Sequence, residues 1–462
     1  MNLLNELKKN TQKTFLRKKS SAVYFLLLLL LTILCYWKFW GNTWYGQDDY
    51  WRASTSIWDE AGHIISSHHH QENRYQPVRL FLFTLVTHWG LQEYSFFYNF
   101  SMHLINILLL FLLIRAFKVR EVTAFLATAL FSVYGVFTMI GNPDVMINGS
   151  GLNAFFILAT LLFFLKGLAS SSRGWKFIFL AFSYLSYLGL IFSYEVAFPM
   201  LATVVCAFLF FDRFFQGRPI LSSPKGYWAL APFLLFLAIY YFLFCSHPST
   251  YGGAQISVSP NILTKFLAYS KTLLSPFYHI DLPLQSVILL SFVLYYLGLF
   301  WVWRITKADH SENTETIDEC RNEGLLFLFG GVWYISSVSL FTLNNLKPPP
   351  VIMYHHLYLM TVGVAMMIPS LFFMISKIFI SPVKKIYRRF ILYILLPFLL
   401  SNSINYHWHY AQDTAIKTKV LMGQLKNQPQ TYPSNGEKMK ALIVHSNFTG
   451  REPKEGVRSR FV

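Results

Sequence analysis

Apolar positions dominate this chain in long unbroken runs, and polar positions are gathered into the short gaps between them. Runs near or above ~18 residues are the length of a helix crossing a bilayer. They place membrane helices at 22–40, 95–114, 122–140, 151–166, 176–192, 196–211, 227–245, 284–303, 325–343, 357–376 and 390–405. The expected fold is therefore an all-α, polytopic membrane protein with about eleven transmembrane helices. Three parts follow: a basic stretch at 1–21, a transmembrane unit at 22–405 and a polar tail at 406–462.

The gaps are not alike. Between the first two spans lies a loop at 41–94, in which Trp51, Ile57, Trp58, Ala61, Ile64 and Ile65 recur at near-helical spacing. That pattern predicts an amphipathic helix lying on the membrane surface. A second short helix is expected at 78–89, after Pro77. The gap at 246–283 holds another amphipathic segment, NILTKFLAYSKTLL, and the gap at 308–323 is acidic and reads as a solvated connector.

Charge sets the orientation. Most of the 39 lysines and arginines fall at the N-terminus or in alternate gaps: Arg115, Lys118 and Arg120; Lys166, Arg173 and Lys176; Arg213, Arg218 and Lys225; Arg304, Lys307 and Arg321; and Lys377 to Arg389. Basic gaps stay on the cytoplasmic side. The loop 41–94 and the tail then lie outside. Lys38, Phe39 and Trp40 follow the first apolar run without a small-residue cleavage pattern, so that run is expected to be kept as a helix.

Composition sharpens this reading. The chain is 54% hydrophobic and 13% charged, against about 25% charged in soluble domains. The net charge of +17 belongs to the helix ends and calls for no nucleic acid. Cys35, Cys206, Cys245 and Cys320 form no metal-like pair, and no disulfide framework is expected.

Chemistry-bearing residues converge by parity on the outer face. The first loop brings Asp48, Asp49, Arg52, Arg74 and Arg79; later turns add Asp144, Glu195, Lys347, His355 and His356. Ionisable groups beside a membrane are costly unless wet or paired, so such a set points to a site. Asp48 and Asp49 are either a helix cap or a general base and its partner, since adjacent carboxylates repel and raise one pKa. Arg74 and Arg79 are either interfacial anchors or a fork for a phosphate. His68, His69 and His70 are consecutive and poorly spaced for one ion, and no metal or other cofactor is expected.

In order along the chain, QDDYWR (47–52), RYQPVRL (74–80), YNFSMHLINILL (98–109), SYEVAFP (193–199), KFLAYSKTLLSPFYHIDLP (265–283) and HHLYLM (355–360) resemble motifs of the membrane-embedded GT-C glycosyltransferases. Their Arg-Pro and His…Asn patterns are similar to those of O-mannosyltransferase relatives that bear tetratricopeptide repeats. Those relatives have an arginine where this chain has His355 and His356, and the tail 406–462 is too short for three repeats of 34 residues. A compact chain with an early DD…R motif looks more like the bacterial O-antigen modifying glucosyltransferases. The resemblance implies a GT-C-like bundle and a polyprenyl-phosphate-linked sugar donor. It further implies a glycan, lipid or protein acceptor and an active site facing the periplasm from a bacterial inner membrane. Asp48, Asp49 and Glu195 would then be catalytic, and Arg52, Arg74, Arg79, Asp144, Lys347, His355 and His356 would bind substrate. The rival readings are a lipid or glycan transporter and a surface-glycan polymerase or ligase.

Overall fold

α-Helix is the regular structure throughout the described residues, which contain no strand. The computed structural model describes residues 23–36, 77–78, 81, 95–134, 150–193, 196–211, 227–245, 261–278, 317–342 and 357–376, with 386, 387, 391, 395 and 398–402. The helices are α1 (Val23–Tyr36), α2 (Ser95–Ala116), α3 (Glu121–Tyr134), α4 (Ser150–Ala169) and α5 (Arg173–Ile191). They continue with α6 (Ala197–Phe210), α7 (Ala231–Tyr240), α8 (Ile262–Tyr278), α9 (Ile317–Thr342) and α10 (Leu357–Ile375). Four of these, within α2, α4, α5 and α10, are long and apolar enough to cross a membrane, and α1, α3, α6 and α7 are shorter apolar helices. The amphipathic helix expected near residues 51–65, the span at 284–303 and the tail at 406–462 lie outside the described residues. Of the second loop helix, Pro77, Val78 and Phe81 are helical.

Each corner has a local cause. α2 ends with Arg115 in its last turn and α3 starts with Glu121 in its first, the placement the helix dipole favours. Arg115 Nη2 meets Glu121 Oε1 at 2.6 Å across that corner. Lys118 turns the chain there at φ 54°, with its amide bonded to the Arg115 carbonyl at 3.0 Å. Left-handed backbone costs a non-glycine residue about 1 kcal/mol. At the α5–α6 corner the amides of Phe192 and Ser193 close on the carbonyls of Leu188 and Leu190 at 3.0 and 3.1 Å. Pro232 opens α7, where its missing N–H is no loss, and α7 widens into a π turn at Tyr241–Cys245.

Packing is antiparallel between α2 and α3, α4 and α5, and α9 and α10, whereas α2 and α4 run in the same direction. α9 lies along α10, α4 along α5, and α2 between α3 and α4; α6 packs on α9, and α3 on α10. α9 and α10 approach closest at two glycines. A Cβ on Gly330 would fall 2.8 Å from the Gly363 carbonyl oxygen, and one on Gly363 would fall 2.7 Å from that of Gly330. Small residues let membrane helices come this close. The core is aromatic: Phe233 of α7 meets Phe164 of α4 and Tyr187 of α5 edge-on, at 5.3 and 5.0 Å.

The outward faces of α5 (Trp175, Phe177, Phe182, Leu185) and α7 (Leu234, Leu235, Ile239) are apolar and exposed. Such a surface suits hydrocarbon rather than water. Arg115, Lys118, Arg120, Lys166, Arg173, Lys176 and Arg321 all sit where α2, α4 and their partners end or begin at one end of the bundle, here the basic end. The opposite, loop end receives the chain from 41–94. α8 packs there: its Tyr269 and Leu273 join Val338 of α9 and Leu357 and Met360 of α10. α8, from the 246–283 gap, thus lies at the end of the bundle where α10 begins.

One expectation is corrected. The acidic connector ends earlier than expected, because α9 begins at Ile317 and Glu323 lies inside it. Glu323 is fully buried rather than solvated. Its Oε1 accepts from Thr123 Oγ1 at 3.1 Å and stands 3.4 Å from Arg120 Nε. The Arg120 guanidinium in turn lies over the Phe373 ring, 5.6 Å from its centre. A buried carboxylate needs such partners, and they come from sequence 200 positions away.

Candidate functional site

At the loop end, α2 carries an unusual stripe for a membrane helix: Asn99, His103 and Asn106, at positions i, i+4 and i+7, are all buried. That spacing puts them on one face. Polar groups inside a span persist only where they are bonded, and they mark functional parts of such proteins.

The bonding directions follow from the atoms available. His103 Nε2 lies 3.1 Å from the Ser132 carbonyl, which can only accept, so Nε2 carries the hydrogen. Asn106 Nδ2 donates to the Gly151 carbonyl at 2.8 Å and to the Tyr358 hydroxyl at 3.2 Å. The Tyr358 oxygen is therefore an acceptor for Asn106, and its own hydrogen goes to His103 Nδ1 at 2.8 Å. A neutral His103 is thereby held in one tautomer, with its hydrogen on Nε2. The chain of bonds joins α3, α2, α10 and α4. Rings close around it: Tyr36 of α1 and Phe131 of α3 lie 5.5 and 5.2 Å from the His103 ring.

Some oxygens nearby have no such fulfilment. Asn106 Oδ1, Asn153 Oδ1 and the Tyr98 hydroxyl are buried with no hydrogen-bond partner among the described residues. Each costs about 1–3 kcal/mol. Tyr98 and Asn153 lie in the first turns of α2 and α4, and Asn106 lies near the middle of α2.

The expected site residues Asp48, Asp49, Arg52, Arg74, Arg79, Asp144, Glu195, Lys347, His355 and His356 lie outside the described residues. Residues close to Arg79, Glu195 and His356 in the sequence are described, and they make two contacts. The Val78 amide donates to the Phe192 carbonyl at 3.2 Å. Val78 directly precedes Arg79 in the sequence, and Phe192 comes three residues before Glu195. The Asn106 amide touches both Gly151, which closes the turn carrying Asp144, and Tyr358, two residues after His356.

α8 adds a cation to that end. Lys265 is buried on the face that also carries Tyr269 and Leu273, and burial pushes its ammonium below the ordinary lysine range. Ser270 of α8 and the Tyr334 hydroxyl of α9 meet at 2.6 Å, fixing the helix in place. Among the described residues no cluster of His, Cys, Asp and Glu is arranged to hold a metal ion. Neither Cys35 nor Cys206 is in a disulfide, and the Cys35 thiol points at the Val133 carbonyl at 3.8 Å.

Sequence reasoning quoted His103 and Asn106 inside a motif but gave them no role. The signal that could have found them is the i, i+4, i+7 stripe of polar side chains within an otherwise apolar run.

No family model matches the chain, and no curated protein matches it. Among solved structures it is similar to the archaeal oligosaccharyltransferase AglB from Archaeoglobus fulgidus, in complex with an inhibitory peptide and a dolichol-phosphate. The identity is 13% and the TM-score 0.42, over 82% of this chain and 55% of that one. A second likeness is to the Archaeoglobus fulgidus oligosaccharyltransferase in the apo form, with 14% identity, a TM-score of 0.39, and 82% and 56% of the two chains. The chain spans a little over half the length of these proteins.

Proposed function

We propose that this protein is a membrane glycosyltransferase of the GT-C type. It moves a sugar from a polyprenyl-phosphate donor to a hydroxyl of a cell-surface glycan, lipid or protein, on the extracytoplasmic side of a bacterial inner membrane. In a single displacement, Asp48 or Asp49 takes the proton of the acceptor hydroxyl. The oxygen attacks the anomeric carbon as the bond from that carbon to the phosphate oxygen breaks, which inverts the centre. Arg74 and Arg79 hold the departing polyprenyl phosphate, with His355 or Lys347 able to join them. Arg52 and Asp144 orient the sugar and acceptor, and Glu195 completes the acidic side of the site. A monophosphate leaving group needs less help than a diphosphate, so the reaction runs without a metal.

The observation that supports this reading most is the Val78–Phe192 bond, which joins the residue before Arg79 in the sequence to the residue three before Glu195. Purified protein in detergent, given polyprenyl-phosphate sugar, should consume the donor by mass spectrometry. Asp48→Asn or Asp49→Asn should lower transfer by roughly a hundredfold or more. Wild-type rates in both variants would remove the base assignment.

A further inference from the structure

We propose that the corner between α4 and α5 binds the phosphate headgroup of an anionic phospholipid, in the leaflet at the basic end of the bundle. Lys166, Arg173 and Lys176 gather there, and all three are exposed. Neither α4 nor α5 carries a carboxylate, and among the described residues none of the three cations makes an ion pair. The α2–α3 corner at the same end is the contrast: there Arg115 has Glu121 and Arg120 has Glu323. Arg173 and Lys176 also stand in the first turn of α5, where the positive end of the helix dipole disfavours a cation. That turn holds no acid, and its N-cap, Ser172, makes no side-chain bond to the first amides. Like charges set against each other and against a helix end gain most from an anion supplied from outside.

Aromatic packing says what carries the anion. Lys166 Nζ lies over the Phe179 ring, 5.9 Å from its centre, and Trp175 stacks on the same ring at 5.7 Å. Phe163 of α4 stacks on Phe179 at 6.3 Å and closes the seam between the helices. A cation and an indole thus share one ring, and tryptophan favours headgroup depth in a bilayer. Beyond them, Phe182 and Leu185 continue the Trp175 face of α5 and are exposed. Of the four helices long enough to cross a membrane, α5 is the least covered: 22% of its span is buried, against 44% or more in the others. A free phosphate would meet the cations and leave this flank bare. A phospholipid fills both, its headgroup on the cations and its chains along Phe182 and Leu185.

The test is native mass spectrometry of the protein in neutral detergent, titrated with phosphatidylglycerol in one arm and phosphatidylcholine in the other. Wild type should retain phosphatidylglycerol in preference. Each lysine or arginine near a lipid surface contributes a factor of about five. The triple variant Lys166→Gln, Arg173→Gln, Lys176→Gln should therefore bind phosphatidylglycerol on the order of a hundredfold more weakly, with phosphatidylcholine unchanged. A variant carrying Lys384→Gln, Lys385→Gln and Arg388→Gln instead should keep the lipid. Equal loss in the two variants would mean diffuse surface charge and would overturn the site, as would equal retention of the two lipids by wild type. Inorganic phosphate at the lipid's concentration should not displace it; displacement would make the occupant a soluble anion and overturn the lipid assignment. Should the triple variant melt early, Arg173→Gln alone carries the same test at about fivefold. None of these readouts depends on sugar transfer.

Discussion

Glu323 Oε1 stands 3.4 Å from Arg120 Nε at the basic end of the bundle, with the carboxylate shut away from solvent. The pair belongs to α9 and to the corner before α3, and the Phe373 ring of α10 lies beneath the guanidinium. It fastens three helices at the end farthest from Tyr358. Removing one member of a buried pair costs about 3–5 kcal/mol, whereas replacing both by apolar groups is often neutral. Glu323→Ala should therefore lower the melting temperature in detergent clearly. Arg120→Met with Glu323→Leu should recover most of that loss. Equal melting of Glu323→Ala and wild type would show that the pair contributes nothing.

The Gly330–Gly363 approach predicts a steric effect. A methyl group at either position would lie within 2.8 Å of a carbonyl oxygen on the facing helix. Backbone cannot move aside as a side chain can, and overpacking of this kind costs about 1–3 kcal/mol. Gly363→Ala and Gly330→Ala should each lower thermal stability, and Gly331→Ala, where the added atom meets open space, should not. The three melting curves decide it.

Lys265 gives a pH effect with a defined sign. Its folded pKa is lowered by burial, so the unfolded chain binds more protons in the window between the lowered value and the ordinary lysine value. Stability from this residue therefore rises with pH across that window and is lost as pH falls through it. Lys265→Met should flatten the alkaline part of the stability profile and raise stability at neutral pH. A parallel profile for wild type and variant would contradict this.

Orientation is open to a direct check. A reporter active only outside the cytoplasm should work when fused after residue 60 and fail when fused after Ser171. The opposite pattern would reverse the bundle and put the first-loop acids in the cytoplasm.

Much of this architecture was written in the sequence. The apolar run expected at 357–376 is α10 at 357–375, and that at 196–211 is α6 at 197–210. Such helices are closed by their own neighbours in the chain, so local pattern suffices. α9 shows where local pattern stops: its first turns are acidic and read as loop, and they are helical in a setting where Glu323 meets partners on α3. The same holds for the His103–Tyr358 bond, which spans 255 positions. Each residue looks ordinary alone, a histidine in one span and a tyrosine in another. The acids and arginines of the first loop could be assigned a face by parity, but their mutual geometry depends on loop conformation that periodicity does not encode.

The join between Val78 and Phe192 uses only main-chain atoms. Its survival is therefore indifferent to what either side chain is. Valine, serine or lysine at 78 would all keep the amide, and only proline would abolish it. A family built on this scaffold is free to rewrite the lettering on both sides of the seam while the seam itself stays sewn.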